Sequence, residues 1–294
     1  MENKGVSIVE QYDQKTLKRL HRIELEIYRD LKAVCERHNI PFFVYYGTIL
    51  GAVRHQGFIP WDDDIDVAMF REDYERFTQI AAKELGDRYD LLTMDTVDGY
   101  VMGLAKLSHK GTIFVEATDQ DRKYRSGVFL DIFPLDKAPE DEKLRKKVTR
   151  STWLWGRLGV LSEYKSPKLP ANLSKGKVIC AKAGCFIIHY LLKIFRLTQR
   201  KCYQHYLKAA TQLRNSDSTL YIDYASPLAY SYPIRKDDIL PLKELAFEDT
   251  TVMVPGNYDR VLTQMYGDYM TLPPVDQRIN HIPAVLDLGN EGVL

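Results

Sequence analysis

"YYGTILGAVRHQGFIPWDDDIDVAMF", residues 45–70, leads from a Gly-Thr turn to an apolar segment that opens on four aspartates, Asp62, Asp63, Asp64 and Asp66. "DIDVAMF" reads as a β-strand, in which residues two apart project to one face, about 6.5 to 7 Å from each other. Asp64 and Asp66 then stand together on either side of an inward-facing Ile65. Like charges so close need a cation or a proton to compensate them, and hard oxygen donors at this density suit Mg²⁺ or Mn²⁺. An EF-hand calcium loop counted from Asp62 fails at its sixth position, which needs Gly and is Val67, and at its twelfth, which needs Glu and is Asp73. Trp61 and Ile65 within the run speak against a plain solvated acidic loop.

Upstream, "PFFVYYG" reads as a buried strand, Gly47 as a turn, and "TILGAVRH" as a short helix opened by Thr48. A helix N-terminus after a small turn presents N–H groups and a positive dipole to phosphate, which makes Gly47 and Thr48 candidate phosphate contacts. Before them, Leu17, Leu20, Ile23, Ile27, Leu31 and Val34 recur at steps of three and four and predict a helix over 16–38. Downstream, "REDYERFTQIAAKEL" predicts a helix, and "YDLLTM", "VMGLAKLS", "TIFVEA" and "GVFLDIF" predict strands. In the last of these Asp131 lies between Leu130 and Ile132, where a charge is costly to bury without a partner. It is the candidate third carboxylate, able to hold a metal or accept a proton. Asp136, in what reads as a turn after Pro134, is a weaker candidate. Arg54, at the end of the short helix, and Lys106, within "MGLAKLS", would meet phosphate charge or pair with an aspartate. His55 and His281 have no partner placed by the sequence and read as hydrogen-bonding groups before general bases.

The chain has 294 residues, 45% of them hydrophobic, and a formal net charge of +1, so no general polyelectrolyte attraction to nucleic acid is expected. The charge is uneven: residues 143–208 hold 16 Lys or Arg against the single acid Glu163. Cys35, Cys180, Cys185 and Cys202 form no CxxC pair and lie in segments that read as helix, as buried thiols do. "MENKGVSIVEQYDQ" at the start lacks the order of a signal peptide, and a cytoplasmic protein is expected. "AKAGCFIIHYLLKIF", 181–195, is shorter than the ~20 residues of a spanning helix. It reads either as a buried helix or as an interfacial one, drawn to anionic lipid at the inner face of the plasma membrane by Lys175, Lys177, Lys182, Lys193, Arg196, Arg200 and Lys201. Helical patterning runs from 139 to about 214, broken at "SPKLPANLSKG". "LKELAFEDTTVMVPG" predicts a hairpin, and "NYDRVLTQMYG" a helix stopped by Gly267. The fold class is α+β: a catalytic core over 1–138, a helical basic insertion over 139–214, and a return to the core over 215–294.

A Gly-Thr turn, a paired acidic strand and a later single acid together resemble the nucleotidyltransferase arrangement, with its mixed sheet. More specifically, "YGTILGAVRHQGFIPWDDDIDVAMF", "LAKLSHKGTIFVEA", "GVFLDIFPLD" and "LTQMYGDYMTLPP" resemble the LicD family. These are bacterial phosphocholine transferases of teichoic acid and surface polysaccharide, with fukutin-related pentitol-phosphate transferases as distant kin. The resemblance implies transfer of phosphocholine from CDP-choline to a glycan hydroxyl, with release of CMP and a glycan acceptor that is lipid-linked in one reading. It places Asp64 and Asp66 at metal positions, Asp131 at the third acid and Gly47 and Thr48 at the phosphate, while Tyr266, Asp268 and Tyr269 match without a role. Choline would need an aromatic cage. The clusters "YIDYASPLAYSYP" and "TWLWG" and the position of Trp61 allow one without locating it. Three alternatives stay open: another CDP-alcohol such as ribitol or glycerol, NMP transfer from an NTP, and a membrane-surface glycan-binding protein with a structural metal loop.

Overall fold

Asp13 caps α1, Gln14–Arg37, its carboxylate accepting the backbone N–H groups of Lys15 at 2.9 Å and Thr16 at 3.0 Å. The expected stripe of α1 is buried at Leu20, Ile27, Leu31 and Val34. The computed structural model describes residues 12–116, 122–167, 174–226 and 232–289. Most of the N-terminal stretch, much of the "SPKLPANLSKG" break, the side chain of Lys175 and part of "YIDYASPLAYSYP" lie outside the described residues.

Strand β1, Phe43–Val44, leads into α2, Tyr46–His55, and then β2, Asp66–Phe70. The helix starts two residues before the expected Thr48. Tyr46 makes the turn itself, at φ 43, and its hydroxyl donates to Asp223 Oδ2 at 3.0 Å. Helix α3, Arg71–Glu84, and strands β3, Tyr89–Leu92, β4, Ala105–His109, β5, Ile113–Val115, and β6, Phe129–Lys137, follow. The main sheet runs β1-β2-β6-β4-β3; β2 and β6 are parallel and the other neighbours antiparallel, so the sheet is mixed.

Asp136 does not sit in a turn. Strand β6 continues through Pro134, which faces Met69 of β2 on one side. On the other side Pro134 falls between the end of the β4 ladder at Ile132 and the start of the next strand pairing at Asp136, where its missing N–H breaks no ladder. Asp136 is consumed by Arg71, whose Nε and NH2 donate to its two oxygens at 2.8 and 2.6 Å, both residues being buried.

Three helices then interrupt the sheet: α4, Glu142–Glu163, α5, Lys175–Ile194, and α6, Gln199–Ala210. Val148 of α4 and Tyr203, Tyr206 and Ala210 of α6 share a second buried cluster with Leu220 and Ile222 of β7, Leu220–Ile222, which pairs with the end of β6. Of α5 only His189 and Leu192 are buried among the described side chains, so it is not a buried core helix. The thiols are free; Cys35 and Cys202 are buried as expected, Cys185 is half-buried and Cys180 is exposed. Strand β8, Ile234–Arg235, α7, Lys236–Ile239, and the expected hairpin of β9, Lys243–Phe247, and β10, Thr250–Val254, precede α8, Tyr258–Tyr266. Gly267 ends α8 at φ 68, and β11, Val285–Asp287, pairs with β5.

The Arg71–Asp136 pair gives a test of the sheet. Asp136→Ala leaves a guanidinium charged and buried, and a loss of about 3 to 5 kcal/mol is expected in urea unfolding. Replacing both partners with apolar residues, Arg71→Met with Asp136→Leu, is expected to cost much less.

Candidate active site

The acidic loop between α2 and β2 is pinned from three sides. From α1, His21 Nε2 donates to the Asp62 carbonyl at 2.8 Å while its ring stacks on Phe58 at 3.7 Å. From the C-terminal segment, the Asn280 amide donates to the Trp61 carbonyl at 2.8 Å, and His281 donates to Asp63 Oδ1 through Nδ1 at 3.1 Å and its backbone N–H at 3.3 Å. From α2, the buried Thr48 hydroxyl oxygen accepts the Asp66 N–H at 2.9 Å. Gly47 matters for its missing side chain: a Cβ there would lie 2.7 Å from Asp62 Oδ2. Asp62 thus rests against the first turn of α2, where the helix dipole favours negative charge.

Register then aligns the charges. Asp66 of β2 faces Asp131 of β6, and Asp131 faces Lys106 of β4, so the three stand in one row across neighbouring strands about 4.8 Å apart. Lys106 Nζ lies 3.3 Å from Asp131 Oδ1, 3.3 Å from Glu116 Oε1 and 3.2 Å from the centre of the Phe129 ring. Its ammonium is therefore engaged by carboxylates, the second of the two readings the sequence left open. Asp64, two residues before Asp66, adds its charge to the row.

Burial first, and then the neighbouring carboxylates, push Asp64 and Asp66 well above the usual range, Asp64 feeling Asp62, Asp63 and Asp131 and Asp66 feeling Asp64, Asp131 and Asp62. Burial and then Asp63 raise Asp62 to about 6. Glu24 of α1 joins them from below. It is fully buried, its Oε2 has no hydrogen-bond partner among the described residues, and burial followed by Asp64, Asp63, Asp62 and Asp66 raises its carboxyl far above the ordinary value. Tyr12 and Tyr266 border the same charges, their hydroxyls pushed up by burial first and then by Asp63 and by Asp66 respectively.

A set of carboxylates that burial and mutual repulsion hold well above their usual range, with an orphaned buried oxygen near it, fits a hard cation. Asp64, Asp66 and Asp131 could hold one. Among the described residues, the set whose ligand atoms lie within 4.8 Å of one another is Asp62, Asp63 and His281 and not the expected Asp64, Asp66 and Asp131, which would have to close on an ion. Arg54 stands at the rim instead of in the row, its Nε donating to His55 Nε2 at 3.0 Å and its NH1 to the Tyr269 carbonyl at 2.8 Å. Burial and then the neighbouring Arg278 lower its proton affinity, and Arg278 covers the Trp61 ring at 4.9 Å. His21, Glu24 and Asn280 escaped the sequence reading; only Glu24, an acid on the apolar side of an amphipathic helix, left a signal.

The LicD/FKTN/FKRP nucleotidyltransferase domain matches residues 39–168. Over 273 residues the chain is 30% identical to the lipopolysaccharide cholinephosphotransferase LicD of Haemophilus influenzae, covering 91% of this chain and 96% of that protein. The chain belongs to the LicD family. The chain is also 34% identical over 65 residues to the human ribitol 5-phosphate transferase FKRP, 22% of this chain and 13% of that one. An uncharacterized protein of Rickettsia typhi matches at 43% over 65 residues, 21% of each chain. The protein is accordingly an enzyme of the phosphotransferase class.

The His281–Asp63 contact carries a pH signature. The hydrogen bond to Asp63 leads in raising His281 from 6.5 to about 9. Because the folded value is the higher one, this contact supports the fold fully below pH ~6.5 and loses its contribution as pH rises through ~9. NMR titration of the His281 ring is expected to give a midpoint well above that of an ordinary imidazole, and Asp63→Asn to bring it back down.

Proposed function

We propose that this protein transfers phosphocholine from CDP-choline to a hydroxyl of a surface glycan, teichoic acid or another polysaccharide, releasing CMP. The observation that carries the reading is the Asp66–Asp131–Lys106 row with Asp64 beside it, in a chain alignable with a cholinephosphotransferase over 96% of that protein. The acceptor hydroxyl oxygen attacks the phosphorus that bears choline; the bond from that phosphorus to the CMP oxygen breaks, and CMP leaves with the electron pair. Asp131 is the group assigned to take the hydroxyl proton, a role worth about 10² to 10⁴ in rate. Lys106 fixes its carboxylate from one side. A divalent cation bound by Asp64, Asp66 and Asp131 would supply positive charge to the donor diphosphate. Arg54, beside a second guanidinium at the rim, is assigned to phosphate oxygens farther out.

The short likeness to FKRP supports a second reading, in which the donor is CDP-ribitol and the rest of the site is unchanged. A donor panel decides between them. CMP release with Mg²⁺ and a glycan acceptor is expected from CDP-choline; Asp64→Asn and Asp66→Asn should reduce it by at least about 10³-fold and Asp131→Asn by about 10² to 10⁴. Release from CDP-ribitol alone replaces choline with the pentitol, and pyrophosphate from an NTP replaces the reaction.

Metal dependence has its own readout. Mg²⁺ or Mn²⁺ is expected to raise the melting temperature by relieving the repulsion among the buried carboxylates. Asp64→Asn with Asp66→Asn should raise the melting temperature of chelator-treated protein and remove the response to metal. A double variant that still responds would move the cation to Asp62, Asp63 and His281.

A further inference from the structure

The basic helical layer carries a surface that the transfer chemistry does not use. On α5, His189 Nδ1 donates to the Leu161 carbonyl of α4 at 2.6 Å and Leu192 is buried beside it, which fixes the side of α5 that faces the protein. At about 100° per residue, Ile179, Phe186, Ile187, Tyr190, Leu191 and Ile194 fall in one arc of about 140° on the opposite side. Ile179, Ile187 and Ile194 are 69%, 58% and 72% exposed. The other positions in that arc are Gly176, Cys180 and Ala183, so it contains no charge. Exposed Lys182 and Lys193 border it on one edge and exposed Lys177 on the other. Beyond its C-terminal end stand Arg196, Arg200 and Lys201, again exposed or at the edge of the next helix.

An uncharged apolar arc between cationic borders has the cross-section of a helix lying in the plane of a bilayer interface. No single helix among the described residues is long and apolar enough to span; α5 reaches that length only with α6 across a 96° bend, and α6 buries Tyr203, Tyr206 and Ala210 in the second cluster, which holds it in the protein. Charge selects the occupant. Between Glu163 and Asp217 the chain has no acid, so a second copy of this surface would bring cations against cations, whereas anionic headgroups complement it.

We propose that α5 docks the enzyme on an anionic lipid surface, with the Ile179–Ile194 arc in the acyl boundary and Lys177, Lys182 and Lys193 at the headgroups. The proposal is independent of which alcohol phosphate the active site transfers. Co-sedimentation of the full chain with phosphatidylcholine vesicles, with and without phosphatidylglycerol, tests it. Binding is expected only with phosphatidylglycerol and should weaken as salt rises. Ile187→Asp with Ile194→Asp should weaken it at least about tenfold while leaving the melting temperature and CMP release to a soluble acceptor at wild-type values. Binding unchanged in that variant, or equal binding to neutral vesicles, overturns the proposal. So does a vesicle-free dimer, seen by sedimentation velocity, that the same variant dissolves, because the arc would then belong to a second copy.

Discussion

Repulsion among carboxylates is the constraint around which this fold is arranged. Two unit charges about 5 Å apart at an effective dielectric of about 20 repel by about 3 kcal/mol, and the charges of Asp62, Asp63, Asp64, Asp66 and Asp131 act on one another or on Glu24. Each hydrogen bond that holds the loop contributes only about 1 kcal/mol. The loop is therefore tied by many of them, from His21, Thr48, Asn280 and His281, which come from α1, α2 and the distant C-terminal segment. Protons on the most buried carboxyls and the ammonium of Lys106 lower the charge further. What remains is a concentration of negative charge that the fold assembles at a cost.

The sheet supplies the order that the loop lacks. Because β2 and β6 are parallel and β4 is antiparallel to β6, one register brings Asp66, Asp131 and Lys106 side by side, although they come from three separate segments of the chain. Arg71 and Asp136 tie the other end of the β2–β6 pair by a buried contact away from the row.

Local patterns in the sequence were sufficient for most of the elements and for the acids. The three-four spacing of α1, the alternation around Ile65 and the isolated Asp131 each follow from periodicity or from the cost of a charge among apolar neighbours. Two features misled. Pro134 looked like the end of a strand because the sequence does not reveal that β4 stops and β7 starts on either side of it. Thr48 looked like the helix start because Tyr46 adopts a positive φ that sequence seldom announces for an aromatic residue. The partners of the loop were illegible for another reason: His21 and Asn280 act through long-range contacts that leave no local trace, and Glu24 becomes informative only once its helix is packed under the aspartates.

The rim bears on where a choline group could lie. Trp61 is attractive by position, yet one face of its ring is already covered by Arg278, with Arg54 close enough to feel the same charge. Two guanidiniums repel a quaternary ammonium and attract phosphate, so the Trp61 side of the site suits the phosphate-bearing end of a ligand. Tyr266 offers the opposite environment, an aromatic ring on which, after burial, the charges of Asp66, Asp62 and Asp64 act most strongly. A trimethylammonium group is held by aromatic faces and negative potential together. The rim therefore has a polarity of its own, cations at Trp61 and acids at Tyr266.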